Sequence, residues 1–145
     1  MRLTPVASPL PPLFPPDWVP PSGGLRTWPV GQYFDAVRIP ESIGPPLARA
    51  LAKMGALGPV LAHPYSGSWH LLTEPGAMSS GPWAGAGIRL LRSGTRLTVP
   101  AADVTRGRDV HWHVPPGGGR TTASQLSDVL CAATRVTVTR RGVRR

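Results

Sequence analysis

The sequence predicts a small α+β domain, with a mainly antiparallel sheet and two helices. Three observations carry that prediction. Short apolar runs of strand length recur between Gly- and Pro-rich turns. Only two segments, near residues 45–54 and 122–133, space their apolar residues as a helix does. The resulting order, strand, helix, five strands, helix, holds too few crossover helices for a parallel sheet.

The elements follow in order. Residues 1–24 form a proline-rich arm ending in Ser22-Gly23-Gly24, read as disordered. Pro11-Pro12-Leu13-Phe14-Pro15-Pro16 favours polyproline geometry. The alternative is an arm whose Leu13, Phe14 and Trp18 pack on the domain or on a partner. Tyr33–Ile39 alternates like a strand, with Phe34 and Val37 breaking strict alternation, and Pro40 ends it. Ser42 or Gly44 then caps a helix with Pro45 and Pro46 in its first turn. Leu47, Ala50, Leu51 and Met54 share one face of it, and Gly55 and Gly58 stop it.

Pro59–Ala62 and Trp69–Thr73 are the next strands, the second stopped by Pro75-Gly76. Residues 76–87 are loop, anchored by Trp83. Gly87–Leu91 and Arg96–Val99 flank Arg92-Ser93-Gly94-Thr95, a hairpin signal. Val110–Val114 alternates strictly, with Val110, Trp112 and Val114 on one side. Pro115 to Gly119 breaks it. A last helix runs from Thr122 to Ala133, with Leu126, Val129 and Leu130 on one face. The tail from Thr134 reads as a short strand followed by disorder. The domain is thus 25–133, with 1–24 as arm and 134–145 as basic tail.

Composition narrows the function. The net charge is +9, from 16 Lys plus Arg, of which only Lys53 is a lysine, against seven acids. A basic chain attracts phosphate polymers and anionic surfaces. Arg135, Arg140, Arg141, Arg144 and Arg145 concentrate part of that charge in the tail. The one cysteine, Cys131, allows neither an intramolecular disulfide nor a cysteine zinc site. It is read as a buried structural thiol in a reducing, cytoplasmic protein. Apolar stretches fall short of the roughly 20 residues a membrane helix needs, and the N-terminus does not read as a signal peptide.

The candidate site is Pro64-Tyr65-Ser66-Gly67-Ser68-Trp69-His70-Leu71-Leu72, a glycine turn feeding a strand. Ser68 and His70 lie on one strand face and suit a phosphate. No acid lies within three residues of His70. Arg38, Arg89, Arg92 and Arg96 are candidates to line one groove and take phosphate oxygens. Arg89 and Arg96 flank the expected hairpin, so they are expected as cross-strand neighbours. Such a pair is destabilising unless an anion sits between them. His111 and His113 share a strand face, but a metal would need a third ligand such as His63 or Asp109, and no metal site is assigned.

Among the five tryptophans, Trp69 and Trp112 are assigned to the core. Trp28 and Trp83 stay open between core and base stacking. The serines lack a Gly-x-Ser-x-Gly elbow, and Gly117-Gly118-Gly119 lacks the ending of a phosphate loop.

Three stretches together carry a resemblance. They are Pro64 to Leu72, Gly87-Ile88-Arg89-Leu90-Leu91-Arg92-Ser93-Gly94-Thr95-Arg96-Leu97-Thr98-Val99-Pro100, and His111-Trp112-His113-Val114-Pro115-Pro116. In this order and spacing they resemble the bifunctional DNA primase/polymerase N-terminal domain, a primase–polymerase fold. Phe34 to Pro40 sits where that family's first metal-binding strand would be. The pattern, over about residues 28–133, is similar to short actinobacterial proteins grouped with that domain.

The family places an Asp-x-Asp pair on its first strand to bind two divalent cations. The matching positions here are Arg38 and Pro40, and the third family carboxylate falls at Arg89. A register slip would bring Asp35 near, alone. Arginines in those places would repel Mg²⁺. His70 matches the residue that contacts the nucleotide's phosphates. The resemblance therefore implies the fold and an ancestral nucleotide pocket, and argues against polymerase activity.

The expected function is a degenerate, non-catalytic primase–polymerase-like domain. It would bind nucleotide phosphates or nucleic acid, single-stranded DNA in particular, through Ser68, His70, Arg38, Arg89, Arg92 and Arg96. No cofactor is expected, with Mg²⁺ only in the case of residual catalysis. Two alternatives stand beside it. One is a protein-interaction module using the arm and exposed tryptophans, with a replication or mobile-element protein as partner. The other is a residual nucleotidyltransferase. No membrane partner is expected.

Overall fold

The central sheet is built from five short segments: β2 (Asp35–Pro40), β3 (Val60–His63), β4 (Ser68–Thr73), β5 (Arg89–Leu91) and β7 (His111–Val114). They lie in the order β5-β2-β4-β3-β7, every neighbouring pair antiparallel. β1 (Leu25–Pro29) and β6 (Arg96–Pro100) form a separate antiparallel ribbon. The helices are α1 (Gly44–Lys53) and α2 (Ala123–Val143). This computed structural model describes residues 16–143 except 86, 92 and 118, with the backbone alone from residue 135. The expected α+β class, with two helices and antiparallel sheets, is the observed one.

Strand alternation splits the apolar residues between two cores. Val37, Ile39, Val60, Ala62, Trp69 and Leu71 point to one side. There they meet Leu47, Ala48 and Leu51 of α1 and Leu126 and Leu130 of α2. Trp83 and Met78, from the loop after β4, close this core. Ala36, Leu61, Leu72 and Trp112 belong to the other side. Leu97 and Val99 of the ribbon cover them, together with Trp18, Val19, Val30 and Phe34. The result is three layers: helices, sheet, ribbon.

Several expectations change. The hairpin does not form. β5 pairs with β2 and β6 pairs with β1, so Arg96 lies opposite Pro29 and not opposite Arg89. The turn around Gly94, at φ 101°, carries the chain from one layer to the other. Leu97 and Val99 are then spent on the ribbon's core, which a hairpin would have left uncovered. β1 is not evident in the sequence, because Leu-Arg-Thr-Trp-Pro has little apolar alternation and its first three residues are exposed.

The folded part also begins before residue 25. Trp18 and Val19 are buried, and Trp28 Nε1 donates to Trp18 O at 2.7 Å. Leu13 and Phe14 lie outside the described residues. Beyond Thr134 the backbone continues as α2 to Val143, in place of the expected short strand. Local helical bonding satisfies the backbone of that segment. Strict alternation from Tyr33 fails for a simple reason. Phe34 belongs to a turn, its carbonyl taking Gly31 N–H at 2.7 Å, and the strand starts at Asp35.

α1 begins without a side-chain cap. A 3-10 turn, Glu41–Ile43, leads directly into it. Among the described residues no helix is long and apolar enough to cross a membrane.

Gly58 shows how tightly the layers are joined. Its N–H donates to Thr121 Oγ1 at 3.0 Å, and a Cβ there would overlap the backbone of Arg120 and Thr121. Gly58→Ala should therefore cost about 1–3 kcal/mol, as overpacking does. Gly117→Ala, whose Cβ would meet open space, should cost nearly nothing. Urea unfolding of the two variants checks the contrast.

Candidate anion-binding site

The second face of the sheet is covered along only part of its length. Alternation places Ala36, Arg38 and Pro40 of β2 on that face, with Leu72, His70 and Ser68 opposite them on β4. Leu91 and Arg89 of β5 continue the row on one side, and Leu61 and His63 of β3 on the other. Ala36, Leu61, Leu72 and Leu91 pack into the ribbon's core. The polar half, beyond them, opens into a pocket of about 340 Å³. Arg38, Pro40, Ser66, Gly67, Ser68, Gly87 and Arg89 line it.

Local sequence shapes each wall. Pro64–Ser66 is a 3-10 turn between β3 and β4, closed by Gly67 in the left-handed region at φ 62°. Gly67 N–H donates to Pro64 O at 3.1 Å, and Gly67 O accepts Glu41 N–H at 2.8 Å. That second bond ties the turn to the end of β2. Ser66 Oγ and Ser68 Oγ are 2.6 Å apart and share a hydrogen bond. Gly87 has φ 89°, and a Cβ on it would press on Pro40 Cγ at 3.0 Å, so a glycine suits this close approach.

The electrostatics are one-sided. Arg38 and Arg89 are direct cross-strand partners, and the lining contains no acid. Among the described residues the single ion pair is Arg120–Glu74, at 3.3 Å. The two guanidinium groups thus share a surface without a carboxylate to offset them. The cross-strand pair expected from the sequence, Arg89 with Arg96, does not form; Arg89 lies opposite Arg38 instead.

His70 is 6% exposed and does not belong to the pocket lining. Its ring meets His63 edge-on, with centroids 4.4 Å apart. His70 Nδ1 and His63 Nε2 are buried without a hydrogen-bond partner. Burial first, then His63 and Arg38, push the His70 imidazolium down to a pKa of about 3. Burial, Arg38 and His111 lower His63 as well. Both rings are neutral at pH 7, so the fixed positive charge of this face comes from the arginines.

The remaining candidates lie elsewhere. Arg96 is exposed on the ribbon, and Arg92 is outside the described residues. His111 Nδ1 bonds Asp109 O at 2.9 Å, while His113 stacks on Trp69 at 4.2 Å. Asp35 sits at the far end of β2, on the opposite face from Arg38, where its Oδ2 takes Gly76 N–H at 2.9 Å. The residues at the places where the resemblance implies metal carboxylates, Arg38, Pro40 and Arg89, do not fit divalent cations. Among the described residues no three His, Cys, Asp or Glu side chains are grouped to hold a metal.

Trp18, Trp69, Trp83 and Trp112 are all buried. Trp28 is half-buried, against Tyr33. Sequence reasoning missed Gly87. Its only signal is a glycine directly before an apolar run. Comparison with family models, curated proteins and solved structures gives no match.

The buried histidines predict an acid-labile fold. A native pKa below the unfolded value of about 6.5 means the unfolded chain binds more protons between the two values. Stability is therefore complete above about pH 6.5 and falls as pH drops toward 3, by about 1.4 kcal/mol per unit for His70. Urea midpoints between pH 7 and 4.5 should fall steeply in the native protein. They should fall less in His70→Gln.

Proposed function

We propose that the Arg38–Arg89 pocket binds the phosphate groups of a nucleotide or of single-stranded nucleic acid. The domain would be of degenerate primase–polymerase type, acting by binding and not by nucleotidyl transfer. The observation that carries this reading is the cross-strand pairing of two arginines in an open pocket without an acid. Like charges directly opposite each other on a sheet are unfavourable, and a bound anion reverses the sign. Guanidinium groups meet phosphate oxygens with paired, charge-assisted hydrogen bonds. Ser66 and Ser68 add hydroxyl groups at the same wall.

The family resemblance supports the same place. Its three metal carboxylates fall at Arg38, Pro40 and, about fifty residues further along the chain, Arg89, and all three positions line this one pocket. A nucleotide pocket whose cation sites became arginines would keep affinity for phosphate and lose the means to place Mg²⁺. Docking by exposed tryptophans has only the half-buried Trp28 to rest on among the described residues.

Two outcomes are expected. Titration against labelled single-stranded DNA should show salt-sensitive binding. In Arg38→Ala/Arg89→Ala affinity should fall at least about tenfold. The slope of log K against log salt should shrink by about 1.4, because two phosphates are no longer neutralised. An affinity and slope unchanged from wild type would leave the basic tail as the whole source of binding and would sink this reading. Without ligand, Arg89→Ala should be more stable than wild type by about 0.2–1 kcal/mol. Added phosphate should raise the melting temperature of the wild type more than that of the variant.

A further inference from the structure

Tyr65 is 84% exposed, the most exposed large apolar side chain among the described residues. It occupies the middle of the Pro64–Ser66 turn. Its two chain neighbours on the C-terminal side, Ser66 and Gly67, are walls of the arginine pocket. Tyr65 thus directly precedes two wall residues in the chain, while its own side chain is not part of the lining.

The turn holds it there stiffly. Pro64 fixes its own φ. Ser66 Oγ donates to His63 O at 3.3 Å, and Gly67 N–H closes the turn onto Pro64 O. The Gly67 carbonyl is held in turn by Glu41 N–H. The backbone under Tyr65 is thus secured at four points, while its ring packs into neither core. The exposed ring contributes little burial energy to folding, so its face is available to a ligand.

The pocket adds a second argument. Its volume of about 340 Å³ is at the lower end of the range for small organic ligands, so it takes more than a bare anion. A nucleotide unit whose phosphate meets Arg38 and Arg89 carries its base beyond the pocket wall, and an exposed aromatic ring on the turn that forms that wall is what such a base lacks. The indoles cannot supply one here, since Trp69 and Trp112 face the two cores.

We infer that Tyr65 is a base-stacking residue, which makes the pocket select base-bearing single strands and nucleotides over other phosphate polymers. The inference rests on the phosphate reading of the same site. Stacking on an aromatic ring is tolerant of base identity and requires an unpaired base. Duplex DNA, whose bases are already stacked, is accordingly a poor ligand.

The test uses the full chain and two fluorescent probes of equal length, oligothymidylate and an abasic deoxyribose-phosphate chain. Tyr65→Ala should weaken oligothymidylate roughly 5- to 150-fold and leave the abasic chain within about twofold. Tyr65→Trp should restore binding. As Tyr65 is exposed and outside both cores, these variants keep the fold. If Tyr65→Ala changes both probes equally or neither, while Arg38→Ala/Arg89→Ala weakens both, Tyr65 is no stacking residue and the phosphate site stands. If neither probe responds to the arginines, the phosphate reading fails, and the role of Tyr65 fails with it.

Discussion

The register of β2 against β4 is the constraint on which everything else in this domain depends. It sets Arg38 opposite His70 and Ile39 opposite Trp69. Because side chains alternate, a slip of one residue would turn Arg38 into the helix-side core and Ile39 into the open pocket. Both faces of the sheet are covered by another layer, so the register is fixed from two directions at once. Val37, Ile39, Trp69 and Leu71 are needed under the helices, and Ala36 and Leu72 under the ribbon. The polar residues of the site occupy what is left of the second face.

That arrangement explains the contrast between the arginines and the histidines. Arg38 and Arg89 line the open pocket at the sheet's uncovered end. His70 is one strand further in, next to His63 and beside the apolar half of the face. Desolvation there opposes a proton, and the neighbouring positive groups add to the effect. One face thus combines an unneutralised cationic surface with a neutral, buried imidazole pair behind it. Arginine is the residue that can hold such a surface, since it stays protonated in surroundings that strip a proton from histidine.

Much of this is legible in the sequence, for identifiable reasons. β2, β3, β4, β7 and α1 can be placed within one or two residues, because each has an apolar run bounded by Gly or Pro. The glycine turn with Ser68 and His70 on one face follows from alternation alone. What cannot be read is pairing. Gly87–Leu91 and Arg96–Val99 look like a hairpin locally, and only the need to cover Ala36, Leu61 and Trp112 sends the second run to another layer. β1 is defined by its partner rather than by its own composition. The convergence of Arg38 and Arg89 depends on β5 joining the edge of β2, a contact across about fifty residues of chain. Trp18 looks like part of a leader because prolines surround it, yet an indole that can be buried against Phe34 and Trp112 outweighs the local preference for disorder.

The ribbon has a kinetic consequence. Its two strands are joined by the Thr27–Thr98 contact across 71 residues, and nearly the whole central sheet lies between them in the chain. Pairing over such a separation brings a large loop-closure entropy and slows folding. The sheet's second face, with Leu61, Leu72 and Trp112, stays without its cover until β1 and β6 meet. During synthesis β1 emerges long before β6 exists, so the first strand of the domain to leave the ribosome is among the last to find its place.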